Sequence, residues 1–373
     1  MLYHLLTPLA DRFIAFNLFY YISFRAAAAA FTAIVLAFFV GPLMIRKLKQ
    51  HNVGQVIRAE GPASHQAKRG TPTMGGGIVL LCTLLPTLLW AQLDNRYVIV
   101  AAVATLWMGA IGFVDDYLKF VSGRSRGLVA RHKLIGQVTF GVVLGTYLLL
   151  NPLVDTVPAS STTLPFFKYV VVTLPPLLYV VFVTLVLTGT SNAVNLTDGL
   201  DGLAIGLSAI AAVAFAVFAY LFGRIDAAEY LLVFYLPGAG ELTIFCASLF
   251  GAALGFLWFN AHPAEVFMGD TGSLALGGAF GTVAILLKSE FLLLLVGGVF
   301  VAEALSVIIQ TGVFRHRKRR HGREYAEQHR VFRMAPLHHH FEKMGWAESK
   351  VVTRFYIIGI LCALFALSTL KIR

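Results

Sequence analysis

Charged residues are scarce in this chain. They make up 13% of its 373 residues, against about 25% in an ordinary soluble domain. That deficit excludes a globular protein built round a single apolar core. Acids are scarcer than bases, 19 against 30, and the formal net charge is +11. Three cysteines, Cys82, Cys246 and Cys362, lie inside apolar stretches without paired spacing. This excludes a disulfide framework or a cysteine-ligated zinc and leaves them as packing residues. The first residues lack a basic segment followed by a small-residue cleavage site, so no removable leader is expected. No internal repeat is present, and the only low-complexity segment is the helix-forming run Ala26 to Ala30.

What the chain does have is apolar sequence, 58% of it, arranged in long runs. Stretches fall near 22–44, 75–93, 98–114, 134–150, 169–189, 203–222, 241–259, 272–288, 291–313 and 351–370. Each is close to the ~20 residues a membrane-crossing helix requires. The expectation is an all-α, polytopic integral membrane protein of about ten transmembrane helices, forming one transmembrane domain over 1–373. Two pairs of stretches, 75–93 with 98–114 and 272–288 with 291–313, are separated by very short turns and read as tight helical hairpins.

Lys and Arg bias sets orientation. The 45–74 loop holds six (Arg46, Lys47, Lys49, Arg58, Lys68, Arg69), the 115–133 loop five and the 314–350 loop ten. With ten spans all three fall on one side, together with loops near 190–202 and 260–271, while the other side carries scattered charges such as Arg96, Lys168 and Arg224. The loops are then cytoplasmic and both termini periplasmic. A +11 balance could also suit nucleic acid, anionic lipid or an anionic substrate. Because the bases sit in loops between apolar runs, membrane orientation explains most of them, and no nucleic-acid partner is expected.

The unusual polar residues gather in those loops. Asp115 and Asp116 are adjacent carboxylates at the end of a span, expensive near hydrocarbon unless paired or bound to a cation. They read as a Mg²⁺ site or general base, or more simply as a solvated helix end. Segment 191–202 carries Asn192, Asn195, Asp198, Gly199 and Asp201 without a Lys or Arg. It can present amides and carboxylates to a sugar, a base or a metal-bound phosphate, or be a turn. Asn195-Leu-Thr197 matches a glycosylation sequon, which a cytoplasmic position rules out. Asp270, in Phe267-Met-Gly-Asp-Thr-Gly-Ser273, enters the next span. It suits a Mg²⁺ ligand, since hard oxygen donors and substrate phosphates share that ion, and also an N-cap.

His338, His339 and His340 are consecutive. Three such imidazoles cannot all face one metal from a regular helix, but on a loop they could contact phosphate, or one could shuttle a proton. Lys68 to Gly77 is basic and Gly-rich but lacks the ending of a phosphate-binding P-loop, and helix packing through Gly75 to Gly77 explains it equally well. Glu303 and Gln310 lie seven residues apart and so on one face of a span, where buried polar groups point to function.

Taken in order, Gly70-Thr-Pro-Thr-Met-Gly-Gly, Val-Asp115-Asp116-Tyr, Asn192-Ala-Val-Asn195-Leu-Thr-Asp198-Gly199-Leu-Asp201-Gly202, Phe267-Met-Gly-Asp270-Thr-Gly-Ser273 and Pro-Leu-His338-His339-His340-Phe-Glu resemble the polyprenyl-phosphate N-acetylhexosamine-1-phosphate transferases. The histidine segment marks their phospho-N-acetylmuramoyl-pentapeptide-transferase branch. The resemblance covers about Arg46 to Arg354. It implies transfer of phospho-N-acetylmuramoyl-pentapeptide from its UDP derivative to undecaprenyl phosphate, giving lipid I and UMP for peptidoglycan synthesis. Also implied are Mg²⁺, ten helices, a homodimer, and a site at the cytoplasmic face of the bacterial inner membrane with a groove for the lipid.

On that basis Asp270 is expected to hold Mg²⁺ and the substrate pyrophosphate. Asp115 is expected to accept a proton from the lipid phosphate or orient it, with Asp116 supporting it or approaching the metal; a covalent role for Asp270 stays open. Lys68, Asn192, Asn195, Gly199, Asp201 and Phe267 are implied to form the nucleotide pocket, Phe267 stacking on uracil, with Asp198 a polar contact near the metal. His338 is placed with the catalytic groups, and all three histidines, together with Lys133 and Gln310, with the substrate contacts. Two other readings are a UDP-N-acetylglucosamine:undecaprenyl-phosphate sugar-1-phosphate transferase and a secondary transporter. The histidine segment disfavours the first. The second predicts midplane acids and an internal repeat, whereas these acids sit at helix ends.

Overall fold

The computed structural model describes residues 1–50, 70–122, 127–167 and 170–372. Its principal helices are α1 Ile22–Gln50, α2 Gly76–Trp90, α3 Arg96–Ser122 and α4 Ala130–Leu150. Then follow α5 Pro176–Thr197, α6 Leu203–Phe222, α7 Leu242–Asn260 and α8 Gly269–Leu286. The chain ends with α9 Glu290–Val296, α10 Gly298–His321, α11 Leu337–Lys343 and α12 Glu348–Ile372.

Every expected apolar stretch coincides with helix, with two local differences. The stretch 291–313 is interrupted at Gly297, between α9 and α10. The stretch expected from 169 begins only at Pro176. Val171–Thr173 pairs instead as an antiparallel strand with Ser161–Thr163, a pairing that β-branched residues favour. Pro176 then starts the helix, where a missing N–H costs nothing.

Eight of the described helices have the length and apolar composition to cross a membrane. The other two expected spans are the 15-residue α2 and α8. Helix α8 has a polar first turn and is buried at every position from Thr271 to Leu286. It packs against α3, α5, α2 and α6, so it meets protein rather than lipid and is rich in small residues. The outer helices behave oppositely and expose Phe31, Phe39, Leu177 and Trp258. That is costly in water but suited to hydrocarbon. The chain is an integral membrane protein with a protein-lined central helix.

At the end of the bundle away from the acidic loops, Arg25 and Glu241 form a buried pair. Arg25 Nη1 and Nη2 donate to Glu241 Oε2 and Oε1 at 2.8 and 2.6 Å, and Gln92 N donates to Oε2 at 2.9 Å. This ties the start of α1 to the residues after α2 and before α7. Glu241→Leu strands the guanidinium and should cost about 3–5 kcal/mol, whereas Arg25→Met with Glu241→Leu should recover most of that loss. Thermal unfolding in detergent checks it; equal losses in the single and double variants would show that the pair contributes no such term.

A three-carboxylate candidate active site

Helices α3 and α8 run side by side, and their contact builds the site. Gly112 permits it: a Cβ there would lie 2.1 Å from the Asp270 carbonyl oxygen. One turn on, Asp115 and Asp116 come off α3, and Asp270 is the second residue of α8. Asp116 Oδ2 accepts Thr271 N at 2.9 Å and Thr271 Oγ1 at 2.7 Å, and Oδ1 accepts Asp270 N at 3.2 Å. A carboxylate from another helix thus satisfies two of the free N–H groups of α8 and opposes the positive end of its dipole. The N-cap position itself is Met268, so Asp270 is not the N-cap allowed for above but sits in the first turn, its carboxylate bound by side chains from other helices.

Asp115 Oδ1 accepts Leu128 N at 2.8 Å. The carboxylates of Asp115, Asp116 and Asp270 offer oxygen atoms that all lie within 4.8 Å of one another. Lys119 Nζ reaches all three, at 2.5 Å from Asp115 Oδ2, 3.6 Å from Asp116 Oδ1 and 3.2 Å from Asp270 Oδ2. Lys133 Nζ adds 2.9 Å to Asp270 Oδ2. An ammonium held by three carboxylates stands in for a cation among hard oxygen donors, and that donor set fits Mg²⁺. Lys119 was missed as a site residue, although its spacing of three and four from the two aspartates put it on their helix face.

Backbone pairing fixes the approach to Asp270. Phe267 N donates to Pro72 O, Gly75 N to Phe267 O and Gly76 N to Met268 O, each at 2.8 Å. Gly76 must be glycine here, because a Cβ would lie 2.1 Å from Gly272 N. The Gly-rich segment therefore works as a cradle for the Phe267–Asp270 turn, in which the Phe267 side chain is half-buried. Lys68 lies outside the described residues.

From α5, Asn195 Nδ2 donates to Asp270 Oδ1 and to Ser273 Oγ, both at 2.8 Å. Asn192, one turn earlier, is held by Gln137 Oε1 at 2.8 Å, deeper in the bundle. Asp201 belongs to a second group. Its Oδ2 lies 3.1 Å from His262 Nδ1 and accepts Ala264 N at 3.1 Å, and Asp201, His262 and Glu348 offer ligand atoms within 4.8 Å of one another. Asn260, also missed as a site residue, accepts Gly202 N at 3.1 Å and donates to Val266 O at 2.8 Å. It joins the 198–202 turn to the 260–268 loop.

Asp198 follows α5 between the two groups. Burial first, and then the negative charges of Asp270, Asp116 and Asp201, push its carboxyl up to about 8. The unfolded value is near 3.8, so the native state holds the extra proton between these limits. Stability from this group is complete below the lower limit and lost as pH rises through the upper one. In chelator-treated protein the melting temperature should fall from pH 5 to 8 and flatten above. Asp198→Asn should remove that part of the slope; an unchanged slope would refute it.

The histidine run divides. His338 is fully buried against Gly199, so among the described residues it meets the site through that turn. His339 Nδ1 lies 2.8 Å from Glu342 Oε2, and His340 Nδ1 accepts Arg333 N at 3.1 Å. Gln310, expected among the substrate contacts, bonds both ways to the Phe332 backbone, at 3.0 and 3.2 Å. An apolar groove of about 370 Å³ opens between α5, α9 and α10, lined by Phe182, Leu185, Phe280, Phe300 and Val301 and reaching Ala193. Its α5 lining runs from Phe182 to Ala193, toward the helix end that carries Asn195.

A helical membrane bundle whose acidic and basic groups converge at one end, with an apolar groove in the same bundle, suits a membrane-embedded transferase for anionic substrates. A family model described as glycosyl transferase family 4 matches residues 98–288. The chain is 62% identical to the phospho-N-acetylmuramoyl-pentapeptide-transferase of Gemmatimonas aurantiaca. It is 50% and 51% identical to the proteins of that name from Desulfotalea psychrophila and Citrifermentans bemidjiense, over the whole of both chains in each case. The chain belongs to the phospho-N-acetylmuramoyl-pentapeptide-transferase family.

Proposed function

We propose that this protein transfers phospho-N-acetylmuramoyl-pentapeptide from UDP-N-acetylmuramoyl-pentapeptide to undecaprenyl phosphate, forming lipid I and UMP, with Mg²⁺. The observation that carries the reading is the Asp115, Asp116 and Asp270 cluster with its two lysines; an apolar groove in the same bundle could take part of a prenyl chain. An oxygen of the lipid phosphate attacks the phosphorus that carries the sugar. The bond from that phosphorus to the UMP oxygen breaks, and UMP leaves with the electron pair. Such transfer depends on positioning and charge neutralisation.

Asp270 is the residue to hold Mg²⁺, which would neutralise charge on the pyrophosphate. Asp116 is committed to the α8 N-terminus and keeps Asp270 in place. Asp115 orients the lipid phosphate and takes its proton when it carries one. Lys119 and Lys133, paired with carboxylates in the unliganded protein, turn to substrate phosphates when these bind. The 198–202 turn, with Asn195, Asn260 and Phe267, faces the nucleotide.

The Lys and Arg bias supports a cytoplasmic site, periplasmic termini and an inner-membrane location. A homodimer is the assembly that the resemblance implies. Assaying UDP-N-acetylmuramoyl-pentapeptide and UDP-N-acetylglucosamine side by side tests the donor: labelled lipid product is expected from the first alone. Product from the second alone would overturn the assignment.

A further inference from the structure

Glu303 is an acid that the three-carboxylate site does not use. It lies on α10 with no exposed surface. Its Oε1 accepts the backbone N–H of His338 at 3.1 Å and lies 3.2 Å from His338 Nδ1. Seven residues further on, Gln310 clasps the backbone of Phe332. Two polar side chains on one face of α10 therefore pin both ends of the 332–338 segment.

A carboxylate in this position makes Nδ1 the donor and gives the imidazole one orientation. Nε2 then points at Gly199: a Cβ on that residue would lie 2.2 Å from it. Among the described residues Nε2 has no hydrogen-bond partner, so packing against the glycine, not a bond, is its contact with the site. Gly199 follows Asp198 and leads to Asp201 and Gly202, whose carbonyl is held by Tyr356 Oη at 2.7 Å and whose N–H is held by Asn260. The far end of the turn is thus fixed by α12 and α7, and its near end rests on His338. A buried carboxylate in a span is unfavourable against an apolar side chain of the same size unless its partner needs it.

We propose that Glu303 is a positioning residue for the transfer reaction. Acting through His338, it sets the place of the Asp198–Gly202 turn and hence the binding of the nucleotide donor, and not that of the lipid acceptor. This rests on the function proposed above. The full-length protein in detergent carries the test, with KM measured separately for UDP-N-acetylmuramoyl-pentapeptide and undecaprenyl phosphate. Glu303→Met keeps volume and removes the acceptor. It should raise the nucleotide KM roughly tenfold or more while leaving the lipid KM within about twofold, the split expected for lost donor binding. Glu303→Gln keeps the carbonyl acceptor and should return the nucleotide KM to within about threefold.

Gly199→Ala pushes on the same contact from the other side and should reproduce the Glu303→Met split, which keeps the test available if the methionine variant does not fold. A wild-type nucleotide KM in Glu303→Met or Gly199→Ala overturns the proposal. So does an equal rise for both substrates, or a glutamine variant as impaired as the methionine one. Calorimetric binding of UMP gives the same comparison without turnover. A wild-type protein that binds UMP yet transfers nothing would refute the reaction, while weakened UMP binding in Glu303→Met would still support the positioning role.

Discussion

Asp270→Asn should lower turnover about 10³-fold, the scale on which removing one electrostatic stabiliser acts, and added Mg²⁺ should not restore it. The reason lies in what faces each oxygen. Oδ1 accepts Asn195 Nδ2 at 2.8 Å, and Oδ2 meets Lys133 and Lys119 at 2.9 and 3.2 Å. Asparagine keeps the shape but has one acceptor, so its NH₂ must face either the amide donor or the two ammonium groups. The site also loses the charge that balances those lysines and an oxygen that would hold Mg²⁺. Steady-state UMP release across a Mg²⁺ titration checks this. A variant with a normal rate and normal Mg²⁺ dependence would remove Asp270 from metal binding.

Gly112→Ala should lower turnover about 10²-fold without removing any chemical group. The added Cβ would lie 2.1 Å from Asp270 O, 2.4 Å from Asp270 C and 2.6 Å from Thr271 N. All three are backbone atoms of the first turn of α8, so no side-chain rotation relieves the overlap and the helix itself must move. Close-packed interiors respond to such insertions by shifts. Overpacking of this kind costs about 1–3 kcal/mol of stability, and a displacement near 1 Å at a reacting group costs about 10²-fold in rate. Turnover and the melting temperature should therefore fall together. Wild-type turnover in a folded Gly112→Ala protein would show that the α3–α8 contact does not set the position of Asp270.

Much of this architecture is written in the sequence because a bilayer demands long apolar runs. All ten runs become helices, and the same-face placement of Glu303 and Gln310 follows from helical periodicity alone. Both do face the 332–338 segment. The break at Gly297 was hidden because apolar residues continue on both sides of it. The Val171–Thr173 strand was hidden for a similar reason, since β-branched residues read as the start of a span.

The site divides along the same line. That acidic, amide-rich and histidine loops would meet is readable from where the runs end. How they meet is not. Asp116 caps α8 across 155 residues of chain, a relation that only the packing of α3 on α8 creates. His338 shows the opposite limit. A run of three histidines in a basic loop reads as phosphate contacts or a proton shuttle, yet the first is fully buried, because a span supplies its carboxylate partner. Lys119 could have been found, since it recurs at the helical spacing of the aspartates.

The most direct measurement is UMP release by the purified full-length protein given UDP-N-acetylmuramoyl-pentapeptide, with undecaprenyl phosphate and Mg²⁺ each present or withheld. UMP that forms in step with a lipid-linked product, and only when all three are present, is the predicted result. UMP release that ignores undecaprenyl phosphate, or the absence of any release from folded protein with all three supplied, would contradict the assignment of this carboxylate site to phosphosugar transfer.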